Sequence, residues 1–232
     1  MIDPMSKFAI IHTTPATLES LKALAAEVLP GWEVVNFMDD SILPQLASNG
    51  GNLAEVEPRL IQYVRFAESV GAQAVLSACS SVGEVVARAQ REVSIPVIRI
   101  DEAMAEEAIR RASRIGVAAT LSTTLNPTLQ LLQEKALAAG KQVKLQPLLV
   151  EAAYQKLMAG DKEGHDAALV EALTGLAHLV EVVVLAQASM ARVLPRLPES
   201  ERGKFLSSPR SGMQRVQKAL VDSASRGRKE HA

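Results

Sequence analysis

The strongest chemical signal in this sequence comes from its single cysteine. Cys79 lies in the segment Ser77-Ala-Cys-Ser-Ser-Val-Gly83, between an apolar run and a helix-like pattern. A thiol where a strand gives way to a helix feels the positive end of the helix dipole, which stabilises the thiolate. Ser80 and Ser81 add hydroxyls, and first-turn backbone amides can bind a carboxylate. We therefore predict that Cys79 is catalytic and partly ionised near neutral pH, the alternative being a small buried apolar residue.

Hydroxyl groups form a second cluster, in the segment Thr120-Leu-Ser-Thr-Thr-Leu-Asn126. They follow an apolar run, and together with main-chain amides they can bind carboxylate oxygens. We predict substrate contacts from Thr120, Thr123 and Thr124. The alternative is an ordinary turn that caps a helix, because Ser and Thr are favoured at that position in any case.

His12 and Thr13 follow the first apolar run of the chain. A histidine there can act as an acid or base near neutral pH, and the adjacent hydroxyl of Thr13 can contact a substrate. A structural histidine is the alternative. His165, His178 and His231 fall on predicted helices or on the tail and are interpreted as incidental.

Composition and missing motifs exclude several classes of function. The 25 basic and 26 acidic residues nearly balance, and no interior stretch combines Lys and Arg with aromatics, which argues against nucleic acid as a partner. No metal-ligand spacing and no glycine-rich nucleotide motif is found, so neither a metal nor a cofactor is predicted. One cysteine allows no intrachain disulfide, and no apolar run is long enough to span a membrane. A cytoplasmic protein without a membrane partner is expected.

Short apolar runs alternate with helix-like patterns, which indicates an α/β fold with parallel strands. The same order of elements occurs twice. Phe8 and Ile115 are 107 residues apart, and Cys79 and Gln187 are 108 residues apart. We predict two similar lobes, each with a parallel-core sheet flanked by helices, related by pseudo-twofold symmetry. The first lobe is expected at residues 7–112, and its final helix can cross over to the other lobe. The second lobe is expected at 113–222, followed by a flexible tail at 223–232. Residues 1–4, which precede a second Met, are left out of the fold prediction.

Ligands of parallel α/β sheets bind outside the carboxyl ends of the strands. The polar residues of this sequence cluster at those predicted ends, after the first and third strands of each half. The fold therefore predicts that Cys79 and Gln187 face each other across a cleft between the lobes.

This arrangement resembles the aspartate/glutamate racemase superfamily, which includes hydantoin racemases, maleate isomerases and arylmalonate decarboxylases. The resemblance spans roughly residues 7–220 and is clearest at Cys79-Ser80-Ser81, at the hydroxyl cluster and at Val184-Leu-Ala-Gln-Ala-Ser-Met-Ala191. It implies that Gln187, Ala188 and Ser189 contact substrate, and dimers are common for this fold, so a homodimer is compatible with it.

Cofactor-free racemases of this family use two cysteines, one on each face of the substrate's α-carbon. By this resemblance Cys79 is the first, and Gln187 stands in place of the second. An amide cannot exchange a proton near neutral pH, so two-cysteine racemisation is not expected.

The resemblance implies a cofactor-independent isomerase that acts on a small carboxylate through Cys79, with His12 as a candidate partner base. Two alternatives stay open. One is a decarboxylase or lyase of the arylmalonate decarboxylase type, and the other is a non-catalytic protein that binds small acids.

Overall fold

The computed structural model of the chain describes residues 6–230, apart from the side chains of residues 224 and 226–230. By their contacts these residues divide into two units. The first unit comprises residues up to Ile100 together with those from Pro209 onward, and the second runs from Asp101 to Ser208. No helix in this part of the chain is long and apolar enough to cross a membrane.

Strands and α-helices alternate along the described chain. The strands are β1 (Lys7–His12), β2 (Glu33–Met38), β3 (Ala72–Ser77), β4 (Val97–Arg99), β5 (Arg114–Ala119), β6 (Lys144–Leu149), β7 (Val182–Leu185) and β8 (Phe205–Ser207). The α-helices are α1 (Leu18–Val28), α2 (Ile42–Ser48), α3 (Glu57–Ser69), α4 (Val85–Ala89), α5 (Glu102–Arg111), α6 (Ser122–Ala138), α7 (Glu151–Met158), α8 (Lys162–Ala177) and α9 (Ser208–Glu230).

Each unit contains one four-stranded parallel sheet, and the two sheets repeat the same strand order. The order is β2-β1-β3-β4 in the first unit and β6-β5-β7-β8 in the second. The central strands β1, β3, β5 and β7 are almost entirely buried, which is typical of parallel strands with helices on both faces. The predicted α/β class and the repeated parallel sheets are confirmed.

The last helix of each half belongs to the other unit. The second unit begins at Asp101 and so includes α5, whereas α9 beyond Ser208 belongs to the first. There Arg210 Nη2 lies 2.8 and 2.9 Å from the carboxylate oxygens of Glu27, and Gln217 Nε2 donates to the Val28 carbonyl at 2.7 Å. The helix continues to Glu230, through most of the segment predicted to be a tail.

Some helical boundaries differ from the sequence pattern. Helix α6 begins within the hydroxyl cluster, at Ser122, so Pro127 lies inside it and one backbone hydrogen bond is missing there. Helix α2 was not predicted, nor was the long 3-10 helix Ala188–Arg196. The reason for the second miss is that a 3-10 helix lacks the 3.6-residue periodicity by which helices are detected.

Close packing of α8 on β5 gives a test of the fold. A Cβ atom added to Gly116 of β5 would lie 2.8 Å from Leu176 Cγ and 3.1 Å from Val180 Cγ2. We expect Gly116→Ala to lower the free energy of unfolding by about 1–3 kcal/mol, measured by urea denaturation, because the core must shift to admit the methyl group. Gly175→Ala is the matched control, since a Cβ there meets no atom within 4 Å; it should stabilise α8 by up to about 1 kcal/mol. Equal unfolding curves for both variants would contradict this packing.

Candidate active site

The candidate site of the first unit lies at the carboxyl ends of two neighbouring strands. Strand β1 leads into Thr13 and Thr14, and β3 leads into Ala78 and Cys79. The Ala78 N–H donates to the Ile11 carbonyl at 2.9 Å, so the strands remain paired up to the point where the loops begin. The sheet therefore holds the loops that carry Thr13 and Cys79 side by side.

Cys79 directly precedes a single turn of 3-10 helix, Ser80–Val82. Its side chain is half-buried and packs against the apolar core of the first unit. Burial raises the pKa of the Cys79 thiol, while the hydroxyls of Thr13 and Ser81 and the N–H groups of Ser81 and Val82 lower it. Burial has the larger effect, so Cys79 is a neutral thiol near neutral pH. The prediction that it is partly ionised is wrong.

The predicted helix dipole is weak because the helix is broken into pieces. In place of one continuous helix after Cys79, the structure has the 3-10 turn, then the five residues of α4, then the 3-10 turn Gln90–Glu92. A helix dipole sums over aligned peptides, and these short pieces align few of them. Little stabilisation of a thiolate remains to oppose the cost of burial.

The thiol pKa can be tested by alkylation, since the chain has only one cysteine. Only the thiolate reacts, and the raised pKa keeps Cys79 protonated through neutral pH. We expect the rate of reaction with iodoacetamide to rise with pH well above the ordinary thiol value of about 8.5. A short cysteine-containing peptide is the control. A rate that is already at its plateau near pH 7 would contradict the assigned protonation state.

Thr13 is 2% exposed, and its hydroxyl oxygen makes no hydrogen bond of ordinary geometry with any residue that the structure describes. The hydroxyl nevertheless lies near enough to Cys79 to lower the pKa of the thiol. A buried polar atom without a hydrogen bond is costly, by about 1–3 kcal/mol. Its position next to the thiol makes Thr13 a candidate ligand contact.

His12 has a different environment from the one predicted for an acid or base. The residue is fully buried, its Nδ1 lies 2.9 Å from Thr17 Oγ1, and its Nε2 lies 3.0 Å from Asn36 Oδ1. Asn36 Oδ1 is an acceptor, so Nε2 carries the proton, and burial lowers the pKa of the ring. His12 therefore joins the start of the α1 region to β2 as a neutral ring. These contacts weigh against the catalytic role expected for it, because both nitrogens already have partners.

The second unit repeats this geometry with different chemistry. Gln187 precedes the 3-10 helix Ala188–Arg196, just as Cys79 precedes its own 3-10 turn, and both have extended backbones. The Gln187 side-chain carbonyl accepts hydrogen bonds from the Thr120 N–H at 2.7 Å and from Thr120 Oγ1 at 2.9 Å. The amide is thereby fixed in orientation, with its NH2 group left as a donor.

The other predicted contact residues lie on the first turns that follow β3, β5 and β7. Ser80 and Ser81 are buried, as is Thr124 in α6, whereas Thr123, Ala188 and Ser189 are half-buried. In each unit the structure therefore brings the predicted residues to the carboxyl edge of that unit's own sheet. Among the side chains that the structure describes, no cluster of three or more His, Cys, Asp or Glu could hold a metal.

An ionic cluster around the buried Asp166 supports the helix that follows Gln187, and it was not predicted from the sequence. Asp166 Oδ1, on α8, lies 2.5 Å from Arg192 Nη2 and 2.8 Å from His165 Nδ1. Arg196 makes two hydrogen bonds of 2.8 Å with the carboxylate of Glu163. These contacts join the 3-10 helix to the start of α8. His165, interpreted as incidental, is thus part of a structural cluster; the only sequence signal was a pair of arginines spaced four apart.

We expect Asp166→Asn to loosen the 3-10 helix, because it removes a buried charge that binds Arg192. Hydrogen exchange of the 188–196 amides should become faster by an amount equivalent to about 1–3 kcal/mol, the usual value of a hydrogen bond to a charged group. Glu163→Gln is the control and should change exchange little, since Glu163 is largely exposed. Unaltered exchange in Asp166→Asn would show that the cluster does not hold this helix.

Comparison with known proteins identifies the family. A model of the Asp/Glu/Hydantoin racemase family matches residues 9–216. The chain belongs to the Asp/Glu/hydantoin racemase family. Membership of this family supports the isomerase class of enzyme.

Solved structures agree with the family at the level of fold. A glutamate racemase from Bacillus anthracis has 19% sequence identity, covering 95% of this chain and 84% of its own, with a TM-score of 0.72. The aspartate racemase of Picrophilus torridus has 14% sequence identity, covering 95% of this chain and 94% of its own, with a TM-score of 0.71. An allantoin racemase from Klebsiella pneumoniae has 19% sequence identity, covering 94% of this chain and 89% of its own, with a TM-score of 0.64. A search of curated proteins gave no significant match.

Proposed function

We propose that this member of the racemase family is a cofactor-independent isomerase that moves a proton at the carbon next to a carboxylate, with Cys79 as its only thiol. The observation that carries the proposal is the half-buried Cys79 beside the buried hydroxyl of Thr13, which has no hydrogen-bond partner among the described residues. Gln187 holds the equivalent position in the second unit.

Cys79 acts as the proton donor in this scheme. When the substrate carries a carbanion stabilised as an enediolate, its electron pair takes the S–H proton to form a C–H bond, and the S–H electron pair stays on sulfur as a thiolate. In the reverse direction the thiolate removes that proton. A single thiol serves one face of the substrate, so the isomerisation is a 1,3-shift. The minor thiolate form of Cys79 takes the α-proton, the C–H electron pair moves into the enediolate, and the thiol so formed returns the proton on the same face to the carbon at the far end of the shifted double bond, which regenerates the thiolate.

Gln187 binds rather than transfers a proton. Its carbonyl is held by Thr120, so the NH2 group can donate to a substrate carboxylate or to the developing enediolate oxygen. A neutral donor of this kind stabilises negative charge without competing for the proton.

A decarboxylase is the second candidate, and the raised pKa of Cys79 favours it. Loss of CO2 from a malonate-type acid leaves the electron pair on the α-carbon, and the reaction then needs only one proton delivered to one face. A resting thiol supplies that proton, and solvent restores it after each turnover. A cis–trans isomerase that adds a thiolate to the double bond would need an ionised Cys79, and the raised pKa of the thiol disfavours that form.

The experiment is a panel of small carboxylic acids, including malonates and unsaturated acids, incubated in deuterated water and followed by NMR. Exchange of the α-proton or shift of a double bond that depends on Cys79 supports the isomerase. Release of CO2 with one deuterium incorporated supports the decarboxylase. Binding of an acid without either reaction would favour a small-acid binding protein and contradict both.

With a substrate in hand, Cys79→Ser should reduce turnover by about 10²–10⁴-fold, the usual contribution of a general acid. Gln187→Ala should reduce it less, by an amount equivalent to about 1–3 kcal/mol, because it removes a hydrogen bond and no proton-transfer group. Gln130→Ala, an exposed glutamine on α6, is the matched control. Full activity in Cys79→Ser would exclude the cysteine mechanism.

A further inference from the structure

The carbonyl oxygen of Gln187 accepts two hydrogen bonds from one residue, Thr120. The backbone N–H and the hydroxyl of that residue both donate to the one oxygen, at 2.7 and 2.9 Å. Two donors converging on an sp² oxygen form the arrangement that binds a carboxylate or an enediolate oxygen. In this chain the protein's own side chain supplies that oxygen.

The first unit contains the equivalent pair of donors at Thr13. Along a parallel strand, every second residue points its N–H and C=O groups toward the same neighbouring strand. The register of the strands therefore fixes the direction of each N–H group. Ala78 N–H donates to the Ile11 carbonyl and Ala186 N–H donates to the Ala118 carbonyl, both at 2.9 Å. Two residues further along, Thr120 N–H points toward the strand that carries Gln187. By the same register, Thr13 N–H points toward the strand that carries Cys79.

The donors of Thr13 are not taken up in the way that those of Thr120 are. Cys79, at the position equivalent to Gln187, has no oxygen to offer. The Thr13 hydroxyl is buried and makes no hydrogen bond of ordinary geometry with a described residue. Because the two strand ends have the same register, the oxygen bound at Thr120 indicates the kind of group that the donors of Thr13 can bind.

We propose that Thr13 forms a carboxylate-binding subsite in the first unit, and that Gln187 permanently plugs its counterpart at Thr120. This inference rests on the proposed function, because it specifies how the substrate is held for Cys79. A carboxylate oxygen at Thr13 places the adjacent carbon next to the thiol. The plug makes the protein asymmetric: one carboxylate is recognised in the first unit, and a second is not recognised at Thr120.

Titration with sodium acetate, followed by ¹⁵N–¹H NMR at constant ionic strength, tests the subsite without any turnover. In the unmodified protein the Thr13 amide resonance should shift saturably, and the Thr120 resonance should not move. Thr13→Val, which keeps the shape and loses the hydroxyl, should weaken acetate binding about tenfold or more, and Thr13→Ser should restore it. Thr174→Val is the control for the substitution itself, since the Thr174 hydroxyl bonds only within α8, and it should bind acetate normally.

The plug is tested by Gln187→Ala, in which the Thr120 amide should become responsive to acetate. The proposal is overturned if the Thr120 amide responds in the unmodified protein, if it stays silent in Gln187→Ala, or if the shift at Thr13 is unsaturable and unchanged in Thr13→Val. Because binding is measured directly, a normal titration combined with no Cys79-dependent reaction would refute the proposed function and leave the subsite standing. A reaction without Thr13-dependent binding would do the opposite.

Discussion

The carboxyl edge of each parallel sheet is the constraint on which the rest of this structure depends. The last ladder bonds, from Ala78 to Ile11 and from Ala186 to Ala118, end the pairing at equivalent points in the two units. Beyond them the backbone N–H groups of Thr13 and Thr120 have no strand to pair with, and the next residues of the neighbouring strands are Cys79 and Gln187. The fold thus creates two equivalent sets of donors, and the side chain opposite each set decides what it does.

That difference gives the two repeated units different chemistry. Cys79 has a proton to give, while Gln187 has an oxygen that satisfies its own threonine. The cost of burial keeps the thiol neutral, and the short pieces of helix after Cys79 do too little to reverse that. A neutral thiol beside unfilled donors is suited to protonating a carbanion next to a bound carboxylate. In the second unit the 3-10 helix is secured by Asp166 and Arg192.

Much of the fold followed from the sequence because periodicity and spacing are local properties. The offset of 107–108 residues between matching segments predicted the two sheets, and strand ends such as Ala78-Cys79 were found because apolar runs end there. The state of Cys79 was predicted wrongly, since burial depends on residues distant in the chain. The pairing of His12 with Asn36 was invisible for the same reason: it joins neighbouring strands 24 residues apart. The hydrogen bonds from Thr120 to Gln187 span 67 residues and have no signature in either segment.

The central claim is that Cys79 delivers a proton to a single face of the substrate carbon. The most direct test is to run the reaction in deuterated water and measure the enantiomeric composition of the product that carries deuterium at the α-carbon. The product can come from a prochiral precursor or from exchange of one α-proton. Because one thiol is held at one strand end, we expect a single enantiomer of the product. Formation of that enantiomer should be lost when Cys79 is replaced by serine. Equal amounts of the two enantiomers, formed as fast as deuterium is incorporated, would show that a second group works on the opposite face and would contradict the account.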